Sequence, residues 1–150
     1  MPVPLMDPRA QFEPVRERIL SRLADVVDSG RFILGPTVAE AERELAGAVG
    51  AAHGVGVANG TDALVIALMA FGIGAGDEVI VPSFTFFATA GAVHRVGATP
   101  IFVDIDPATY NISPPALEKF LKENCRADSD GTLRDRNGRA VRALIPVHLF

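Results

Sequence analysis

Strands alternating with helices along most of these 150 residues predict an α/β fold, a mostly parallel sheet with helices on both faces. Two observations carry that expectation. Short apolar runs rich in Val and Ile, at 53–57, 78–82, 100–104 and 141–147, have the length and composition of buried strands. The segments between them have helical periodicity or are apolar on nearly every side, and Gly, Pro, Asn or Ser marks each junction.

Taken in order, the chain opens with a Pro-rich lead to about Pro8. Phe12, Val15, Ile19, Leu23, Val26 and Val27 then share one helical stripe, and Gly30 ends that helix. Three consecutive apolar residues, Phe32, Ile33 and Leu34, follow where a loop is expected, before Gly35-Pro36. Such a loop either plugs its own core or covers a pocket or partner surface. Thr37 with Glu40 three residues later matches a capping box, so a second helix is expected from about Val38 to Val49.

The stretch His53 to Phe71 is the most informative. A Gly- and Val-rich strand, the turn Asn59-Gly60-Thr61-Asp62 and an apolar helix from Ala63 follow one another directly. The first amides of a helix have no partner inside it, and with the positive end of the dipole they form a site for phosphate. Asn59 and Thr61 as plain helix caps are the alternative. A strand at 78–82 then leads to a helix from Thr85 to Arg95, and a strand at 100–104 leads to a helix capped by Ser113 with Pro114 at its first position. Residues 124–139 are polar, with turn signals at Asp130-Gly131 and Asn137-Gly138, and read as a solvent-exposed hairpin or excursion. A last strand, 141–147, reaches His148. Ligands gather at the carboxyl ends of parallel strands. Here those ends carry Asn59 to Asp62, Ser83 to Phe86, Asp104 to Asp106, and His148.

Composition narrows the classes. A net charge of -4 with scattered Lys and Arg argues against nucleic acid or an anionic membrane as partner. The single Cys125 allows no internal disulfide, no signal-peptide pattern opens the chain, and no apolar window has spanning length, so a cytoplasmic protein is expected. No metal-ligand spacing occurs. Gly54, Gly56 and Gly60 give G-x-G-x-x-x-G, one residue longer than the dinucleotide fingerprint, and the second strand ends in Pro82-Ser83 where a ribose-binding acid would stand. A P-loop is excluded because no Gly-Lys-Ser/Thr is present.

Five blocks, Arg31 to Pro36, Asn59 to Leu64, Asp77 to Thr89, Phe102 to Asp106 and Pro146 to Phe150, stand in the order and spacing of the DegT/DnrJ/EryC1/StrS family. By this resemblance the chain is similar to the large domain of fold-type-I aminotransferases that use pyridoxal 5'-phosphate on nucleotide-linked keto sugars. The resemblance implies that the Gly60, Thr61 and Asp62 amides, with the Thr61 hydroxyl, cradle the cofactor phosphate, and that Phe86 stacks on its ring. For Phe86 and Phe87 core packing is the alternative. The resemblance also implies that Phe32, Ile33 and Gly35 line the substrate site near a homodimer interface, which favours a covering loop over a core plug. His148 joins them by its strand-end position, while Asp104 and Asp106 suit turns as well as ligands.

The expected organisation is a lead, helix and site-lining loop over 1–35, then the N-terminal part of the cofactor-binding domain over 36–150. The chemistry also needs a lysine, and the chain's two, Lys119 and Lys122, match no family lysine. The resemblance places the Schiff-base lysine, the pyridine carboxylate and the small domain beyond residue 150, so the chain reads as part of a longer enzyme and as inactive alone. The parent would move an amino group, with glutamate as expected donor, onto a nucleotide-diphosphate keto sugar. A sugar dehydratase of the same family, or a non-catalytic phosphate-binding or regulatory module, are the alternatives.

Overall fold

The structure, a computed structural model, describes residues 5–149 and divides after Gly56 into two compact units. Residues 1–4 of the Pro-rich lead and Phe150 of the last family block lie outside the described residues.

In the first unit, the expected single helix is broken. Helix α1 (Pro8–Phe12) is capped by Asp7, whose carboxylate accepts the Ala10 amide at 3.0 Å. Pro14 has no N–H to give and its ring crowds the preceding turn. The chain therefore passes through a 3₁₀ turn, Glu13–Val15, before α2 (Arg16–Ser29), which ends at Gly30 with φ of 64°. The apolar stripe is real but uncovered, with Phe12, Ile19, Leu23 and Val27 all exposed.

Helix α3 (Pro36–Val49) starts two residues earlier than expected. Pro36 takes the first helical position, where a missing N–H costs nothing, and Gly35 precedes it as the cap. Thr37 makes no capping bond. Gly35 is buried so tightly that a Cβ would stand 2.6 Å from the Arg31 carbonyl oxygen. Glu40, the other half of the expected box, instead lies 3.9 Å from Arg22.

The strand expected at 53–57 is not a strand. A strand exists through its partner's hydrogen bonds, and none of the described strands pairs with it. The Gly56 amide donates to the Glu42 carboxylate of α3 at 2.7 Å, and a Cβ on Gly54 would lie 2.5 Å from the Glu42 carbonyl oxygen. These two glycines thus serve close approach to a helix, which accounts for the G-x-G by packing.

The second unit holds α4 (Gly60–Ala70), β1 (Asp77–Pro82), α5 (Ala88–Arg95), β2 (Thr99–Val103), α6 (Pro114–Asn124), β3 (Cys125–Ala127), β4 (Leu133–Asp135) and β5 (Ala140–Leu144). The sheet runs β2-β1-β5-β4-β3; β1 is parallel to β2 and β5, and the last two pairings are antiparallel. The polar stretch 124–139 folds into this antiparallel edge, with Gly131 and Gly138 at φ near 80° in its turns. The last strand stops at Leu144, although the Ile145 amide still donates to the Ile80 carbonyl at 2.9 Å.

Successive side chains of a strand point to opposite faces, and Glu78 through Pro82 are all buried, so β1 is covered on both. Val79 and Val81 pack with Leu68 of α4 and with Ala92 and Val93 of α5. Each such valine contributes roughly 1.5–3 kcal/mol by burial. This cluster fixes the two helices on the sheet. Helix α5 begins at Ala88 rather than Thr85, because residues 83–87 form the turn out of β1. Ser113 caps α6 as expected, accepting the Ala116 amide at 3.3 Å, and Glu118 pairs with Lys122. No helix among the described residues is long and apolar enough to cross a membrane.

One buried charge is left incompletely served. Glu78 is 2% exposed; its Oε2 has no partner among the described residues, and its Oε1 lies 3.9 Å from Arg139. Burial first, and the Asp135 carboxylate second, push its carboxyl above the usual range, with Arg139 opposing them. An acid raised on folding binds its proton more tightly in the native state, so stability falls as pH climbs above the ordinary glutamate value through the raised one. Glu78→Gln is therefore expected to raise the melting temperature at neutral pH, with the gap to the unsubstituted protein closing below roughly pH 4. Thermal melts across pH check this; a Gln variant less stable at every pH would overturn the assignment.

Candidate functional site

The tip of α4 is built by one asparagine. Asn59 is fully extended, and its Oδ1 accepts the Asp62 amide at 2.9 Å while its Nδ2 donates to the Asp62 carboxylate at 3.0 Å. Its carbonyl takes the Ala63 amide at 3.0 Å. The amides of Gly60 and Thr61 are left without a partner among the described residues. Of the three expected phosphate donors, Asp62 is thus already engaged, which narrows the backbone set to Gly60 and Thr61. Gly60 has open space where a side chain would stand, so nothing of its own covers the tip.

Thr61 lines a cleft of about 640 Å³ together with Phe86, Phe87, Gly91, His94 and Arg95. The structure therefore brings the expected phosphate residue and the expected stacking residue to one cavity. Phe86 and Phe87 are 77% and 83% exposed, so neither is a core residue. A Cβ on Gly91 would stand 3.1 Å from the Phe87 ring, so the bare glycine of α5 lets that ring lie against the helix. Two unpaired amides, a half-buried threonine hydroxyl and an open aromatic face fit a flat, phosphate-bearing group.

Other strand-end residues have structural partners. Ser83 Oγ donates to Asp104 Oδ1 at 3.3 Å, and the same oxygen takes the Ile105 amide at 2.8 Å. Asp106 Oδ1 accepts the Ala108 amide at 2.8 Å, and the Asp106 carbonyl takes the Tyr110 amide at 2.7 Å, which makes Asp106 a turn residue. Phe84 stands 5.6 Å from Tyr110 in a tilted ring pair. His148 is exposed and does not line the cleft. Phe32, Ile33 and Gly35 belong to the first unit and, with Gly30, Arg31 and Leu34, line a separate hollow of about 360 Å³. There Phe32 and Ile33 are 67% and 87% exposed, so the loop is no core plug.

Arg95 escapes the sequence reading. It ends α5, and its Nη1 lies 3.7 Å from the Asp62 carboxylate in the first turn of α4. Neither helix reveals the pair alone, since it exists only after α4 and α5 pack. Gly91 could have been noticed as a helix-interior glycine, which implies close packing. Among the described residues no group of three or more His, Cys, Asp or Glu could hold a metal ion.

A protein of Geobacillus stearothermophilus named as a pleiotropic regulatory protein is 45% identical over 150 residues, 100% of this chain and 36% of its own length. A UDP-N-acetyl-3-dehydro-alpha-D-glucosamine 3-aminotransferase of Acidithiobacillus ferrooxidans is 45% identical over 148 residues, 99% of this chain and 36% of its own. The solved structure of NtdA from Bacillus subtilis with bound cofactor PMP superposes with a TM-score of 0.71 at 33% identity, covering 89% of this chain and 27% of that one. The chain therefore spans little more than a third of the curated relatives it matches. Its mixed α/β fold is that of part of a fold-type-I aminotransferase. With the family model matching residues 14–150, the chain belongs to the DegT/DnrJ/EryC1/StrS aminotransferase family.

Proposed function

We propose that the protein carrying this chain is a pyridoxal-phosphate-dependent aminotransferase that moves an amino group, with glutamate as donor, onto a nucleotide-linked keto sugar. The observation that carries the reading is the shared cleft: Thr61, with the unpaired amides beside it, and the open face of Phe86 line the same cavity. The sugar part of the reading is supported by the UDP-sugar aminotransferase among the relatives.

In this reading the amides of Gly60 and Thr61 and the Thr61 hydroxyl bind the phosphate dianion, and the α4 dipole adds its positive end. Phe86 fixes the plane of the ring, contributing about 0.5–1.5 kcal/mol beyond burial. The exposed surfaces of Phe86 and Phe87 then become covered, which keeps water from the reacting face. When bound, the cofactor supplies the conjugated ring that takes up the electron pair released as the amino group moves. Lys119 and Lys122 lie on α6, Lys122 paired with Glu118, so the lysine that must hold the cofactor is proposed to come from outside these 150 residues. A homodimer is part of the proposal. It suits α4, an all-round apolar helix whose Ile66 and Met69 are exposed here, as helices apolar on every side are normally enclosed. A regulatory, non-catalytic role has one specific support, the naming of the Geobacillus relative as a pleiotropic regulatory protein. An absorbance scan of the full-length protein with borohydride separates the two: a Schiff-base band that borohydride abolishes supports the enzyme, and its absence supports the module.

Two substitutions in the full-length protein test the residue roles. Thr61→Val should weaken cofactor affinity about tenfold or more, the worth of a hydrogen bond to a charged group, with the fold intact by circular dichroism. Equilibrium dialysis giving unchanged affinity would remove Thr61 from the phosphate site. Phe86→Ala should shift the cofactor absorbance and lower turnover several-fold while the melting temperature barely moves, since the ring is mostly exposed. A fall in melting temperature alone would make Phe86 a packing residue.

A further inference from the structure

An anion site at a helix tip is weakened by any carboxylate beside it, and α4 carries one. Asp62 lies in the first turn, its side chain about a third exposed, one residue after Thr61 and two after Gly60. Asn59 engages both the amide and the carboxylate of Asp62 but supplies no charge. Arg95 reaches Asp62 from the adjacent end of α5, where the Ala92, Val93 and His94 carbonyls are already taken by the Val96, Ala98 and Gly97 amides. It occupies the last turn of α5, its Nη1 is 3.7 Å from Asp62 Oδ1, and it lines the cleft with Thr61.

As a stabilising contact this pair is unimpressive. Its side chains are 61% and 36% exposed, and exposed ion pairs contribute little to folding. Its consequence for a bound dianion is larger, because removing Arg95 leaves the Asp62 carboxylate beside two phosphate charges with no other ion-pair partner among the described residues. We infer that Arg95 is a positioning residue of the phosphate site: by neutralising Asp62 it lets the first turn of α4 present a net positive field to the cofactor. The inference rests on the phosphate reading above and deepens it, by making phosphate affinity depend on a residue that need not touch the phosphate.

The test uses the full-length protein and compares pyridoxal 5'-phosphate with pyridoxal, which lacks the phosphate, in the unsubstituted protein and in Arg95→Gln, Arg95→Lys, Asp62→Asn and the Asp62→Asn/Arg95→Gln double variant. Arg95→Gln should weaken the phosphorylated cofactor about tenfold at low salt, leave pyridoxal unchanged, and lose most of its effect at high ionic strength. Arg95→Lys should stay near the unsubstituted affinity, and the double variant should recover it, since the charge that Arg95 balances is gone. A merely structural role for Arg95 would lower both affinities together and would not be rescued by Asp62→Asn. If Arg95→Gln binds the phosphorylated cofactor normally, or if the double variant stays as weak as Arg95→Gln, the inference is overturned while the phosphate reading stands. If the unsubstituted protein binds both compounds equally well, the phosphate reading fails and the inference with it.

Discussion

Two backbone amides, those of Gly60 and Thr61, have no partner among the described residues, and the local structure leaves them open. A helix start normally hands its first N–H groups to a capping side chain or to water. Here the cap, Asn59, reaches past the first two positions to the Asp62 amide at 2.9 Å, and Gly60 brings no side chain to cover the gap. The cost of leaving donors open is small at a solvent-facing tip and becomes a gain once an anion arrives. Cap and phosphate site, alternatives when only the residues are read, are therefore compatible: one side chain stabilises the helix by satisfying the third position and leaves the first two for a ligand.

Open amides are useful only if they are held still, and β1 does that. Its residues from Glu78 to Pro82 are buried on both faces, and Val79 and Val81 lock Leu68 of α4 and Val93 of α5 into one cluster. The same strand, on leaving the sheet at Pro82, delivers the turn that carries Phe86. Tip and aromatic thus hang from one rigid element, whose position they share through packing rather than through any direct bond between them. The unsatisfied buried carboxylate of Glu78 sits near the amino end of that strand, away from the turn that carries Phe86, so a destabilising charge is tolerated where it does not disturb the cleft.

What the sequence made legible follows from how local each signal is. Ser113 before Pro114, Gly30 after an amphipathic run and the paired turns at Gly131 and Gly138 are satisfied within a few residues, and each forms as read. The misreadings come where a local pattern competes with a neighbour in space. Thr37 with Glu40 resembles a capping box, but Pro36 seizes the first helical position and Glu40 turns to Arg22. The Val- and Gly-rich run at 53–57 has strand composition, but composition cannot supply a pairing partner, and Glu42 takes the Gly56 amide instead. The regular stripe from Phe12 to Val27 suggests one helix, but the missing amide of Pro14 breaks it regardless of periodicity.

The site itself divides in the same way. Thr61 and Phe86, which line one cleft, can be singled out from the sequence because each lies in a stretch with its own chemistry, a helix start and an aromatic turn at the end of a strand. Arg95 is not readable, since thirty-odd residues separate it from Asp62 and only the packing of α4 on α5 joins them. Charge balance at a ligand site is a property of assembled surfaces, and a sequence records the charges without their distances. The same limit applies to Asp62. Read alone, it is one more amide for the proposed phosphate; in the folded unit its amide is occupied and its carboxylate would oppose an anion, so its contribution would depend on two neighbours, Asn59 and Arg95.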